Sequence, residues 1–159
     1  MREILFRGKR TDNDEGEFVY GIPVEGEPLL GMGKRTYIIT KPGVQWVDGV
    51  YMTYDECVEV DPDTVGRFTG LTDRNGVKIF EGDILRVTDE HKEYITFVRC
   101  VDNTLCIDIF VDNTGVLELD YEYTAIGFAE GFWKNQSCKV EIIDNIHDNP
   151  ELLEVNESD

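Results

Sequence analysis

Apolar and polar residues alternate with a period of two along most of the chain, which indicates β-strands separated by short turns. In the first part, the segments with this pattern are residues 3–7, 17–21, 36–40, 45–47 and 49–53. In the second part, they are residues 67–71, 77–80, 84–88, 94–101, 105–111, 116–119 and 138–144. Short strands at this spacing predict a mainly β fold with a small barrel or sandwich in the second part.

Helix signals are few. Asn149, Pro150 and Glu151 predict a short C-terminal helix, because they suit the N-cap and the first turn. A second candidate helix of one or two turns covers residues 53–58. The Asp61-Pro62 turn separates a β-rich N-terminal region, residues 1–65, from a barrel-forming region, residues 66–148, and a short helix with an acidic tail, residues 149–159.

The strongest turn signal lies at residues 73–76, where Asn75-Gly76 separates two apolar segments. Glycine accepts the positive φ that tight hairpin turns require, so this sequence predicts a β-hairpin. A further turn is expected at Asp102-Asn103-Thr104, between Cys100 and Cys106. A three-residue loop would place these two cysteines opposite each other, within reach of a disulfide. The alternative, favoured for a cytoplasmic protein, is four reduced thiols.

The chain of 159 residues has 15 Lys and Arg against 33 Asp and Glu, a net charge of −18. Such a charge excludes nucleic acid as a direct ligand and opposes binding to anionic membranes, since both require clustered basic residues. The excess lies mainly in residues 100–159, which hold 14 acidic and two basic residues. The N-terminal residues lack the apolar run of a signal peptide, so we expect a cytoplasmic location.

Candidate catalytic groups are sparse. Glu81 and Asp83 would share one face of a strand, where paired carboxylates serve acid–base chemistry or hold a metal. The alternative is that Gly82 supplies a bend and Asp83 accepts backbone N–H groups. The acidic loop of residues 12–17 is similarly either a weak cation site or a solvated loop. His91 and His147 are expected at the surface, and no cofactor or metal site is predicted.

Several segments together resemble the YopX family, small proteins encoded mostly by phages and prophages of Gram-positive bacteria. The resemblance begins at residues 2–8 and 18–21 and continues through residues 58–66. Its centre is the segment of residues 69–85, TGLTDRNGVKIFEGDIL, and its last part covers residues 140–153. The resemblance implies a largely β fold whose second half forms an SH3-like barrel or roll.

No catalytic residue is implied by the resemblance, because the family has no established activity. The motif positions are interpreted as structural: Thr69, Gly70, Leu71, Asp73, Asn75, Gly76, Glu81, Gly82 and Asp83. Together these observations favour a non-enzymatic phage or prophage accessory protein, located in the cytoplasm of the bacterial host, that binds an unidentified protein partner. Open strand edges also favour a homo-oligomer.

Two alternatives belong to other functional classes. The acidic segment after residue 99 could imitate the phosphates of DNA and inhibit a nucleic-acid-binding protein. Two rows of carboxylates along one face would support this hypothesis, whereas an even scatter would contradict it. A hydrolase or metal-dependent enzyme that uses Glu81 and Asp83 would instead require a concave pocket with convergent polar groups.

Overall fold

The computed structural model describes residues 4–12, 16–27, 31, 33–47, 49–88, 93–111, 117–125 and 138–157. Its long series of strands confirms the prediction of a mainly β protein. The chain divides into two compact units, Met1–Arg67 and Phe68–Asp159. Among the described helices, none has the length and hydrophobicity needed to cross a bilayer.

In the first unit, four antiparallel strands are neighbours in the order in which they occur along the chain. They are β1 (Phe6–Lys9), β2 (Phe18–Gly26), β3 (Arg35–Val47) and β4 (Val50–Val60). On its other side, β1 pairs with Gly66 and Arg67, the first residues of β5 (Gly66–Thr72). A 3₁₀ helix over Pro62–Thr64 links β4 to β5.

The inner face of this sheet is tightly packed. Ile38 has no exposed surface, and Val60 is 2% exposed. A Cβ atom at Gly8 would lie 3.0 Å from the Val60 side chain, and one at Gly21 would lie 1.9 Å from the Ile39 carbonyl oxygen. Position 21 therefore requires glycine, because a backbone atom occupies the space of any side chain.

Strands β3 and β4 extend beyond the other strands of the first unit. β2 pairs with β3 only as far as Ile39, whereas the β3–β4 pairing continues to Val47 and Val50. The register shifts after Ile39, and the Thr40 hydroxyl donates to the Glu56 carbonyl oxygen at 3.1 Å. Residues 41–47 and 50–56 thus form a two-stranded ribbon, to which no third described strand of this unit is hydrogen-bonded.

The helix predicted over residues 53–58 is wrong, since these residues lie in β4. Pairing with β3 satisfies their backbone groups in an extended conformation, and this tertiary pairing outweighs a weak local helix preference.

In the second unit, β5 forms a hairpin with β6 (Lys78–Phe80). Two three-stranded sheets follow. β7 (Asp83–Thr88) lies between β8 (Glu93–Phe97) and β12 (Lys139–Asn145), and β10 (Thr104–Val111) lies between β9 (Arg99–Val101) and β11 (Leu117–Ala125). Their common core consists of Leu71, Ile79, Leu85, Val87, Val98, Ile107, Cys138 and Val140.

The SH3-like barrel expected for residues 66–148 is not confirmed, because the described sheets do not close into a barrel. The chain changes sheets at Val98, whose backbone N–H donates to Asp83 and whose carbonyl accepts from Gly82 at 3.0 and 2.8 Å. Before Val98 the chain pairs with β7, and after Val98 it pairs with β10. β8 and β9 therefore belong to separate sheets.

The C-terminal helix is also not confirmed as an α-helix. Residues Pro150–Glu157 form a 3₁₀ helix, and the Leu152 amide donates to the Asn149 carbonyl three residues earlier at 3.2 Å. The Asn149-Pro150 start therefore marks the correct boundary but not the type of helix, because the same capping residues suit both.

The turn between β9 and β10 differs from the expected loop. Asp102 and Asn103 both have positive φ, 48° and 63°, as in a two-residue hairpin turn. Cys106 consequently pairs with Arg99, and Leu105 pairs with Cys100. Cys100 is a free thiol, so the alternative of a Cys100–Cys106 disulfide is wrong.

The packing at Gly21 generates a stability prediction. Gly21→Ala should lower the free energy of unfolding by about 3 kcal/mol, because the new methyl group overlaps a carbonyl of β3. Gly26→Ala on the same strand is the matched control, since its Cβ would lie 3.7 Å from the Tyr37 ring, an ordinary contact. Urea denaturation followed by circular dichroism measures both variants. Equal midpoints for the two would contradict the described packing of β2 on β3.

Candidate functional site

The β5–β6 hairpin is built around a buried carboxylate. Asp73 is 7% exposed, and its Oδ1 accepts from the backbone amides of Asn75 and Val77 at 2.8 and 2.9 Å. Its Oδ2 accepts from the Ile142 amide and the Asn75 side chain, each at 3.4 Å. The predicted hairpin is confirmed, with Gly76 at φ 82° and its amide bonded to the Asp73 carbonyl at 3.0 Å.

At the start of the motif segment, residues 69–85, the Thr69 hydroxyl group forms hydrogen bonds with the backbone. Thr69 is buried, donates to the Ile79 carbonyl at 2.9 Å and accepts from the Leu71 amide at 3.1 Å. Gly70 lies between them at φ 87°, where the β5–β6 register shifts. Leu71 then enters the core. These three residues form a β-bulge whose free backbone groups are satisfied by Thr69.

Glu81, Gly82 and Asp83 occupy the next turn. β7 begins only at Asp83, so Glu81 does not lie on the strand and the two carboxylates do not share a strand face. Asp83 is 1% exposed, and its Oδ2 accepts from the Phe80 amide at 2.7 Å. Gly82 has φ 84°, and a Cβ there would lie 3.2 Å from Nε2 of His147. Glu81 therefore lies in the turn before β7, and the Asp83 carboxylate at the end of this turn accepts the Phe80 amide.

A shallow groove of about 330 Å³ lies beside the hairpin. Its lining residues are Gly70, Leu71, Thr72, Asp73, Arg74, Cys138 and Val140. Leu71, Cys138 and Val140 belong to the core, and the oxygens of Asp73 already accept backbone amides. At the rim, Arg74 lies 3.7 Å from Glu141. The groove is thus lined by apolar core residues and by polar groups that already form hydrogen bonds or an ion pair within the protein. Such a lining is poorly suited to acid–base chemistry.

The other candidate metal-binding and catalytic residues do not come together in the described part of the chain. The described part of the chain contains no group of three or more His, Cys, Asp or Glu residues able to hold a metal ion. His91 and residues 13–15 of the acidic loop lie outside the described residues. Of the 14 acidic residues on which the DNA-mimic hypothesis depends, Asp112, Glu130 and Asp159 lie outside the described residues.

The outer face of β2 carries exposed apolar residues. Tyr20 and Ile22 are 49% and 54% exposed, and they share a face because they are two residues apart on a strand. Phe18 precedes them on this face, with the Arg7 guanidinium 4.2 Å above its ring. Ile22 pairs with the half-buried Ile39 of β3. This outer face of β2 and its neighbours in β3 is therefore an apolar surface.

An ion pair lies beside this surface. Arg35 of β3 donates to both carboxylate oxygens of Glu59 at 3.0 and 2.8 Å, and this hydrogen bonding raises the pKa of Arg35 above its ordinary value. Residues 18–24 themselves contain no charged residue. Sequence reasoning missed this surface, although its signal is present as an uncharged seven-residue interval in a strongly acidic chain.

The comparisons with known proteins concern family and fold. A sequence model of the family described as YopX protein matches residues 33–154. The crystal structure of protein EF1440 from Enterococcus faecalis is similar to this structure with a TM-score of 0.55 at 21% sequence identity. The similarity covers 96% of this chain and 99% of that chain, and at this identity it shows a shared fold alone. No curated protein matches the chain.

The Asp73 geometry predicts a structural effect. Asp73→Ala should lower the free energy of unfolding by about 3 kcal/mol, because buried amides of the hairpin lose their acceptor. Amide hydrogen exchange at Asn75 and Val77 should accelerate in parallel. Asn75→Ala is the matched control and should cost less than about 1 kcal/mol, since its side-chain contact is long. Wild-type stability and exchange in Asp73→Ala would contradict a structural role for this carboxylate.

Proposed function

The chain belongs to the YopX family, and we propose that it is a non-enzymatic phage or prophage accessory protein that binds another protein in the host cytoplasm. The observation that carries the proposal is the apolar surface of β2, where Tyr20 and Ile22 are each about half exposed. Large exposed apolar residues that lie side by side are typical of protein interaction sites.

The distribution of polar groups supports binding over catalysis. The buried carboxylates of Asp73 and Asp83 accept backbone amides, an arrangement that holds turns in place. A general base or a metal ligand would need such oxygens to face a substrate or an ion. In the motif segment these carboxylates instead contribute to the stability of the second unit.

The net charge indicates the chemistry of the partner. A chain of charge −18 is repelled by acidic proteins and is attracted to basic ones over distances of about a Debye length. The exposed apolar residues Tyr20 and Ile22 of β2 then supply the short-range contact. The proposed partner is therefore a protein with an apolar patch surrounded by basic side chains, and it associates faster at low salt than at high salt.

The test uses matched surface variants. The wild-type protein and the double variant Tyr20→Ser, Ile22→Ser are used to recover partners from host lysate, and each recovered protein is purified for affinity measurements. We expect the double variant to bind at least about 30-fold more weakly, because each side chain removed from an interface costs roughly 1 kcal/mol or more, and every 1.4 kcal/mol is a factor of ten in affinity. Val77→Ser, which removes an exposed apolar residue of the second unit, should bind like wild type.

Two outcomes would contradict the proposal. In the first, a partner binds the double variant and the wild type equally well, which would exclude the surface of β2. In the second, wild-type protein binds no partner at either low or high salt. Circular dichroism and thermal unfolding of every variant verify that lost binding does not reflect a lost fold.

A further inference from the structure

The turn between β5 and β6 contains the dipeptide Asn75-Gly76, which occurs once in the chain. In such a dipeptide the backbone nitrogen of the glycine can attack the side-chain amide of the asparagine, because glycine has no side chain to obstruct the approach. Both residues are exposed to solvent. The turn therefore contains the reactants of an asparagine deamidation: a side-chain amide, a backbone nitrogen and water.

The conformation of the turn keeps these two groups apart. The Gly76 amide donates to the Asp73 carbonyl, three residues earlier, at 3.0 Å. The two central residues, Arg74 and Asn75, have negative φ, so this bond closes a type I turn, in which ψ of the third residue is about 0°. Closing a five-membered ring onto Cγ of Asn75 requires a rotation of about 120° from this ψ. The native turn is therefore not a reactive conformation.

Asp73 is the acceptor for three consecutive amides of the turn. Its carbonyl oxygen accepts from Gly76, and its Oδ1 accepts from Asn75 and Val77 at 2.8 and 2.9 Å. A rotation about the Cα–C bond of Asn75 turns the peptide plane that carries the Gly76 amide, and it displaces the Val77 amide that follows. The reaction therefore requires these bonds to break, which means that the hairpin opens.

The product of the reaction opposes closing of the turn. Nδ2 of Asn75 lies 3.4 Å from Oδ2 of Asp73. Conversion of this amide to a carboxylate replaces the donor by a charged oxygen, and two like charges at such a separation disfavour each other. The same Oδ2 accepts from the Ile142 amide of β12, which holds the Asp73 carboxylate in place. The reacted hairpin is therefore less stable than the unreacted one.

We propose that Asn75 is a deamidation site whose rate is set by opening of the Asp73 hairpin. In the opened hairpin the Gly76 nitrogen loses its proton and bonds to Cγ of Asn75, and the Cγ–Nδ2 bond breaks as ammonia leaves. Water then opens the resulting succinimide ring to aspartate or isoaspartate. This inference goes beyond the proposed function, since it concerns covalent chemistry of the second unit and needs no partner.

Peptide mapping by mass spectrometry measures this reaction in mildly alkaline buffer. We expect Asn75 to react at least about 10-fold more slowly in the folded protein than in guanidinium chloride, because only the opened hairpin reacts. Asn103 is the control within the chain, since it is also exposed in a hairpin turn. It precedes Thr104, whose branched side chain obstructs the backbone nitrogen, so it should keep its amide in both conditions.

Asp73→Ala tests the role of the carboxylate. Deamidation of Asn75 should be at least about 10-fold faster in this variant than in the wild type, because two amides of the turn lose their acceptor. Val77→Ala is the matched control, since it shortens an exposed side chain of the same turn and keeps every backbone bond. It should react like the wild type. Circular dichroism verifies that both variants are folded, and the comparison of folded with unfolded wild type does not depend on either.

Asn75→Asp reproduces the charge of the product. Its midpoint in urea should be lower than that of Asn75→Ala, because both variants lose the side-chain donor and only the aspartate places a charge beside Asp73. Circular dichroism measures the two midpoints under the same conditions.

Four results would overturn the proposal. They are equal rates at Asn75 in the folded and unfolded protein, an intact Asn75 amide in the unfolded protein, a folded Asp73→Ala variant that reacts no faster than the wild type, and an Asn75→Asp midpoint that is not below that of Asn75→Ala. None of these results bears on partner binding at Tyr20 and Ile22. Failure of this inference is therefore distinguishable from failure of the proposed function.

Discussion

The hydrogen-bonding demand of strand backbone is the constraint on which this structure depends. Every turn and edge of a β protein leaves N–H and C=O groups that need partners, and an unpaired buried group destabilises the fold. In the second unit, Asp73 and Asp83 meet this demand at two turns, and Thr69 meets it at a bulge. In the first unit, Arg10 and Thr11 meet it at the end of β4.

Acidic residues consequently have two separate uses in this chain. A few carboxylates are buried and serve as acceptors for backbone amides, as Asp73 does for the hairpin and for β12. The remainder increases the net charge, mainly after residue 99. A pattern of acids in the sequence does not distinguish these uses, since Glu81 and Asp83 are similar in type and differ in burial.

Turns were more predictable from the sequence than registers or strand lengths. Asn75-Gly76 correctly indicates a hairpin, because glycine alone accepts the required φ without strain. The register at Cys100 and Cys106 depends on Asp102 and Asn103 both adopting positive φ, which asparagine and aspartate tolerate but do not enforce. Closure of the second unit into a barrel depends on long-range pairing, which local periodicity does not encode.

Pro42 is the reason why the length of β3 was predicted incorrectly from the sequence. Lys41-Pro42-Gly43 is a turn signal, and it divided one long strand into two predicted segments. The Glu56 carbonyl faces β3, where it accepts from the Thr40 hydroxyl, so the backbone groups of the preceding residue, Asp55, face away from β3. Pro42 pairs with Asp55, and its missing N–H therefore removes no hydrogen bond to β4. The pairing of β2 with β3 has already ended at Ile39, before this proline. A local turn signal therefore gave the wrong strand length here, because whether a strand tolerates proline depends on its hydrogen-bonding position in the pairing, which only the tertiary structure fixes.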